Sequence, residues 1–313
     1  MFFQTEITWI GISIVYIACA IGAVILSKYL KDFLTPYRLD EQLTDKDNPA
    51  LGLATTGYFI GVMIIFLGAT VGPSPYDFPA EETSEAAATE TATTETASGT
   101  PEIPPLGDLA AELGIDLAWA IGGMLLLNLS CLIVDKLVLY RFSTRKEIIE
   151  DRNAGTGAVE AGCLIASALV IAGSIHGEGG LDTALVFFGL GQLVLVLFGV
   201  FYQFINSYDI HKEIEEDNVA AGVSLGLNMV AIGVILLKAT FGDFINWSDN
   251  LLLFGLYSLT GFLTLLMMRK LVDLTLFPKS TLTREIAGDR NLNAAYIEGS
   301  MAVGSAAAIL LIF

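Results

Sequence analysis

Eight long apolar runs constrain this chain more than any other feature. They lie at roughly 7–34, 49–71, 107–140, 154–176, 181–207, 218–240, 250–277 and 292–313. About 20 apolar residues in a helix span the ~30 Å hydrocarbon core of a bilayer. A chain folding around a soluble core would show helical stripes or alternation instead. Composition agrees: 16% of residues are charged, against ~25% in soluble domains. The expected fold is all-α, a polytopic membrane bundle of about eight transmembrane helices with the lipid bilayer as its first partner.

Lysine and arginine set the expected orientation. Fifteen of the sixteen basic residues fall on one side of this arrangement, clustered after the first, third, fifth and seventh runs; Lys238 is the exception. Basic loops face the cytoplasm, so both termini are expected outside. Trp9, Trp119 and Trp247 then fall near the outer interface, where indole rings anchor.

The formal net charge is −18, and much of the excess lies between Asp77 and Asp116, a stretch without Lys or Arg. Nucleic-acid binding needs a basic face and is not expected. Residues 72–106 are rich in Ala, Thr, Ser, Glu and Pro, cannot bury apolar surface, and read as a disordered acidic outer loop. Cys19, Cys131 and Cys163 all fall inside apolar runs without CxxC spacing, which predicts small buried residues, not a disulfide framework or zinc site. The start Met1-Phe2-Phe3-Gln4-Thr5-Glu6 lacks a positive n-region, so the first run reads as a retained helix.

The even-numbered runs open alike. Asp47-Asn48, Asp151-Arg152-Asn153, Asp217-Asn218 and Asp289-Arg290-Asn291 each stand at the basic-side entry of a span. The fourth and eighth match further: Thr144-Arg145-Lys146-Glu147-Ile148 pairs with Thr283-Arg284-Glu285-Ile286 after one gap, and Glu160 and Glu298 each follow their asparagine by seven residues. The chain is therefore read as two parallel four-helix repeats, the first formed by 1–71 and 107–176 and the second by 177–313, with 72–106 as an insertion in the first. Four spans per unit relate the halves by an axis along the membrane normal, unlike an inverted-repeat transporter.

A basic and acidic turn, then Asp/Asn, then an Ala/Gly-rich span, recurring four times, resembles the domain of unknown function 350 family, the YjfL-like inner membrane proteins. Two tandem copies cover the chain apart from 72–106. Asn293, where a small residue is expected, departs from the pattern. The resemblance implies a multi-pass protein of the cytoplasmic (inner) membrane and brings no activity with it.

The asparagines suit helix capping, since the side-chain oxygen accepts an orphan amide, and the neighbouring aspartates suit the positive helix end. An anion site at these helix starts is the alternative, opposed by the acids nearby. Glu160 and Glu298 are the sharpest functional candidates. Each lies about two turns, ~10 Å, inside its span, where a carboxyl group must face protein or water. Desolvation favours its neutral form, which suits either a proton carrier or a hydrogen-bonded brace. The expected partners are the uncharged Asn128, Asn228 and Thr55, with no Lys or Arg deep enough to pair. Asp135 and Asp273 read as interfacial ion pairs with Lys136 and Lys270. His176 and His211 are isolated, and no HExxH or Ser/His/Asp constellation occurs; no enzyme activity, metal or cofactor is expected. Two functions stay open: a non-enzymatic membrane component that docks other membrane or cytoplasmic proteins, or further copies of itself, and an ion or proton channel or transporter working through Glu160 and Glu298.

Overall fold

The computed structural model describes residues 2–71, 105–177 and 179–312. Eight long helices account for the apolar runs: α1 (Phe2–Leu34), α2 (Pro49–Thr70), α3 (Leu106–Ile133), α5 (Ala154–Ile175), α6 (Leu181–Ile205), α8 (Val219–Thr240), α9 (Trp247–Leu276) and α10 (Leu292–Ile312). Each is long and apolar enough to cross a membrane. Two short helices, α4 (Thr144–Ile149) and α7 (Ile210–Glu215), and π-turns at Glu41–Asp45, Val134–Val138 and Arg284–Gly288 fill the hairpins at one end. Residues 72–104, most of the expected outer loop, lie outside the described residues; α3 already begins at Leu106.

Helices α2, α5, α8 and α10 stand in a row in that order. One returning span separates each from the next, so all four run the same way. α3 lies against both α2 and α5, α6 against α5 and α8, and α9 against α8 and α10, while α1 rests on α2 and α3. The two halves therefore repeat the same pairings, α1-α2-α3-α5 and α6-α8-α9-α10.

The row is held by one joint used three times. Counted from the asparagine at each helix start, positions 2, 9 and 13 of one helix meet positions 4, 8 and 15 of the next in the first two joints, and the third shares the 9-to-8 contact. In the first joint Ala50, Gly57 and Gly61 meet Gly157, Ala161 and Ala168; in the second Gly155, Gly162 and Ala166 meet Gly222, Gly226 and Gly233; in the third Leu227 meets Gly299. A Cβ at Gly162 or Gly222 would collide with the facing backbone, so small residues here are what lets the axes approach. Tyr58, Leu127, Leu164, Ile171 and Met229 are fully enclosed around the row. Ile14, Ile17 and Ile21 of α1 are more than half exposed, as a lipid-facing surface requires.

The hairpins repeat as closely as the joints. Asn48, Asn153 and Asn218 accept amides from Leu51, Thr156 and Ala221 at 3.1, 3.0 and 3.2 Å, and Asn291 accepts from Asn293 at 3.1 Å. The residue before each asparagine, Asp47, Arg152, Asp217 or Arg290, is left-handed, with φ between 47° and 60°. The asparagine amide turns back to Gln42, Glu147, Glu213 or Glu285 of its own hairpin. In three cases it also crosses to the next hairpin: Asn48 to the Ile148 carbonyl (2.8 Å), Asn153 to Ile214 (2.6 Å) and Asn218 to Ile286 (2.9 Å). Each of these three caps thus ties one hairpin to the next.

Candidate functional site: two buried carboxylates

Glu160 on α5 and Glu298 on α10 sit at equivalent places, 138 positions apart, each in a polar nest inside the hairpin end of the bundle. Glu298 is 2% exposed. Tyr202 on α6 donates to it at 3.0 Å, Ser224 on α8 donates to its other oxygen, and the Arg269 guanidinium on α9 pairs with it directly. Arg269 also bonds Asn206 and lies over the Tyr202 ring. Asn228 donates to the Tyr202 hydroxyl at 3.4 Å. This carboxylate is enclosed and fully partnered.

Glu160 is held more loosely. Lys31 of α1 approaches it at 3.7 Å while contacting the Cys131 sulfur at 3.6 Å and covering the Tyr58 ring at 4.8 Å. Tyr58 in turn accepts from Asn128 at 2.9 Å. Lys31, Cys131 and Glu160 line a cavity of about 360 Å³ that continues past Asp135 and Tyr37 to Arg145 in the hairpin region. Burial pushes the Tyr37 phenol, beyond the end of α1, up to about 12. The corresponding phenol in the second half, Tyr208, is also raised by burial.

The nests are built on one plan with the cation exchanged. Cys131 on α3 and Arg269 on α9 are 138 positions apart, as the glutamates are; Lys31 on α1 and Tyr202 on α6 are 171 apart, as are Tyr37 and Tyr208. Each carboxylate meets one cation, from the first helix of the unit in one half and from the third in the other. This overturns the expectation that no Lys or Arg reaches either glutamate. Lys31 and Arg269 do not end their spans: α1 continues to Leu34 and α9 to Leu276, and the long side chains reach inward from those helices. Both residues lie inside the apolar runs 7–34 and 250–277, which was the available signal.

Of the expected uncharged partners, Asn228 joins the second nest and Asn128 lines the cavity of the first and bonds Tyr58 there, whereas the buried Thr55 hydroxyl meets no hydrogen-bond partner among the described residues. Lys270 lies 4.0 Å from Asp273, whose carboxylate also accepts the Leu282 amide. His211 Nε2 donates to the Val138 carbonyl at 2.8 Å, and His176 stacks on Phe241. Among the described residues no cluster of His, Cys, Asp and Glu has the geometry to hold a metal ion.

Eight apolar helices, with a carboxylate–cation pair inside each half, define a multi-pass helical membrane protein. The model of the Domain of Unknown Function (DUF350) matches residues 5–175 and again 178–312, and the chain belongs to that family, in two tandem copies. It is similar to a UPF0719 transmembrane protein of Aquifex aeolicus (strain VF5), 21% identical over 290 residues that cover 90% of this chain and 93% of the relative. No solved structure matches the chain.

Proposed function

We propose that this protein is a non-enzymatic component of the cytoplasmic membrane that docks partners, with its hairpins in the cytoplasm and the two carboxylate nests as internal braces. One observation carries this reading: each carboxylate is already neutralised by a cation of the same chain. Towards the far end of the spans, enclosed positions such as Val62, Ile65, Ile171, Ile232 and Leu236 are apolar, with the buried Ser167–Gln192 pair as a polar interruption between α5 and α6, so an ion leaving either nest would meet mainly hydrocarbon side chains. The hairpins instead offer a row of exposed charges, among them Lys46, Asp151, Lys212 and Asp289, from which a partner can be held. Purified protein in liposomes is expected to pass no ion across a panel of gradients, with or without a pH difference. Neutralising the hairpin charges is expected to release co-purifying partners without unfolding the bundle.

The cavity beside Glu160 favours a second reading, proton or ion transport, because it gives that carboxylate a route toward the hairpin end. Flux that depends on pH and disappears in Glu160→Gln, with the fold intact, would establish transport and displace the docking reading.

A further inference from the structure

The row α2–α5–α8–α10 contains three joints but four caps, and its two ends carry the unused halves of a fourth. At the α10 end, Asn291 donates its amide to Glu285 of its own hairpin and, among the described residues, to no neighbouring carbonyl, whereas the three preceding asparagines each donate to both. At the α2 end, Leu43 follows Gln42 as Ile148 follows Glu147, Ile214 follows Glu213 and Ile286 follows Glu285. Its carbonyl occupies the acceptor's place and meets no asparagine amide among the described residues. One half-joint lacks an acceptor and the other a donor.

The helix faces correspond. Positions 4, 8 and 15 of α2 are Gly52, Thr56 and Met63; positions 2, 9 and 13 of α10 are Asn293, Ser300 and Gly304. In the internal joints positions 4, 8 and 15 are packed against the preceding helix and positions 2, 9 and 13 against the next. Here Thr56, Met63, Asn293, Ser300 and Gly304 are exposed and Gly52 is half-buried, and a Cβ at Gly52 or Gly304 would meet nothing within 4 Å. The helix that crosses each joint repeats the pattern. α3, α6 and α9 each lie over a seam between two row helices, whereas α1, the most exposed span, has only the α2 side of its seam.

We infer that a second copy of this chain docks head to tail, placing its α2 and α1 against α10 of the first and continuing the row across the interface. This adds to the docking reading, on which it rests, one partner held by the spans and not by the hairpin charges. The contact is compatible with a membrane because successive row helices are parallel, so both copies keep one orientation. It is heterologous, and repetition gives a ring if the rotation closes and an open array otherwise. The internal register sets the pairs: Ser300 against Thr56 of the second copy, Asn293 against Gly52, Gly304 against Met63, and the Asn291 amide on the Leu43 carbonyl.

The chain carrying Thr56→Cys and Ser300→Cys is oxidised in native membranes, with each single variant as the background for the native cysteines. Disulfide-linked dimers and longer ladders are expected from the double variant alone, and adding Gly304→Leu is expected to abolish them. Wild-type protein in lipid nanodiscs is expected to show a mass above one chain, and Gly52→Leu/Gly304→Leu the mass of one chain with helix content retained, since a Cβ at either glycine meets nothing within 4 Å in its own protomer. Absence of covalent product together with a one-chain mass for the wild type would overturn the assembly. So would equal product with and without Gly304→Leu. Liposome flux is read separately, so a monomeric chain that passes no ions would refute the assembly and leave the docking reading in place.

Discussion

Glu298 and Glu160 share a position and differ in how completely they are answered. Breaking a buried ion pair on one side strands a charge, at about 3–5 kcal/mol, whereas replacing both partners with apolar groups is often near neutral. Arg269→Met is therefore expected to destabilise the protein by about that amount, and Arg269→Met/Glu298→Leu to recover most of it, measured by unfolding in detergent. Lys31→Met is expected to cost less, because the cavity leaves Glu160 in reach of solvent. The hairpin acids provide a pH test. Burial pushes the Glu147 carboxyl up, so its folded form holds a proton more tightly than the unfolded chain. That stabilisation is present below the ordinary glutamate range and is lost as pH rises through the raised value. At half-buried Glu285 the amide of Asn291 holds the carboxyl below its usual range, so stability there is present above that range and falls with acidification. Glu147→Gln is expected to flatten the stability profile above pH ~5 and Glu285→Gln the limb below ~4, each read against the ordinary Glu value. Glutamine fits the first position because Gln42 already occupies its counterpart facing Asn48.

Among the elements, the row depends on where side chains are absent. Gly122 and Gly123 are neighbours on α3 with opposite surroundings: a Cβ at Gly122 would meet nothing within 4 Å, while one at Gly123 would strike Ile65 of α2. Gly123→Ala is expected to cost about 1–3 kcal/mol, the usual penalty of overpacking, and Gly122→Ala to be neutral or slightly stabilising. Melting temperature in one detergent compares them directly. The hairpins carry their own signature in the left-handed residue before each asparagine. At Arg152, φ is 56°, a region that costs an L-residue roughly 1–2 kcal/mol and excludes β-branched side chains most strongly. Arg152→Val is expected to lower stability, and Arg152→Asn to be tolerated, because asparagine enters this region readily.

For the molecule as a whole, the deciding quantity is orientation. The basic-residue asymmetry predicts the hairpins in the cytoplasm and both termini outside. An impermeant thiol reagent added to intact cells is expected to label an engineered cysteine at Ser98 and to spare one at Ser143; the reverse pattern would invert the topology.

The sequence by itself determined the eight spans, the order of the repeats and the positions of Glu160 and Glu298, because each follows from spacing along the chain. Apolar length sets a span, and Asp/Asn before a span marks its start whatever surrounds it. Only the tertiary structure decided which helices touch and what answers each carboxylate. Lys31 lies 129 positions from Glu160, and Arg269 lies 29 from Glu298; Cys131, also 29 from its glutamate, and Tyr202, 96 from its own because the second half lacks the insertion, occupy the places where a cation would otherwise stand. The second role of the asparagines was hidden for the same reason: a cap is local, but the carbonyl that Asn48 reaches belongs to Ile148. Periodicity records what each helix presents to its surroundings, whereas these contacts depend on where a distant helix lies and how far its side chain reaches.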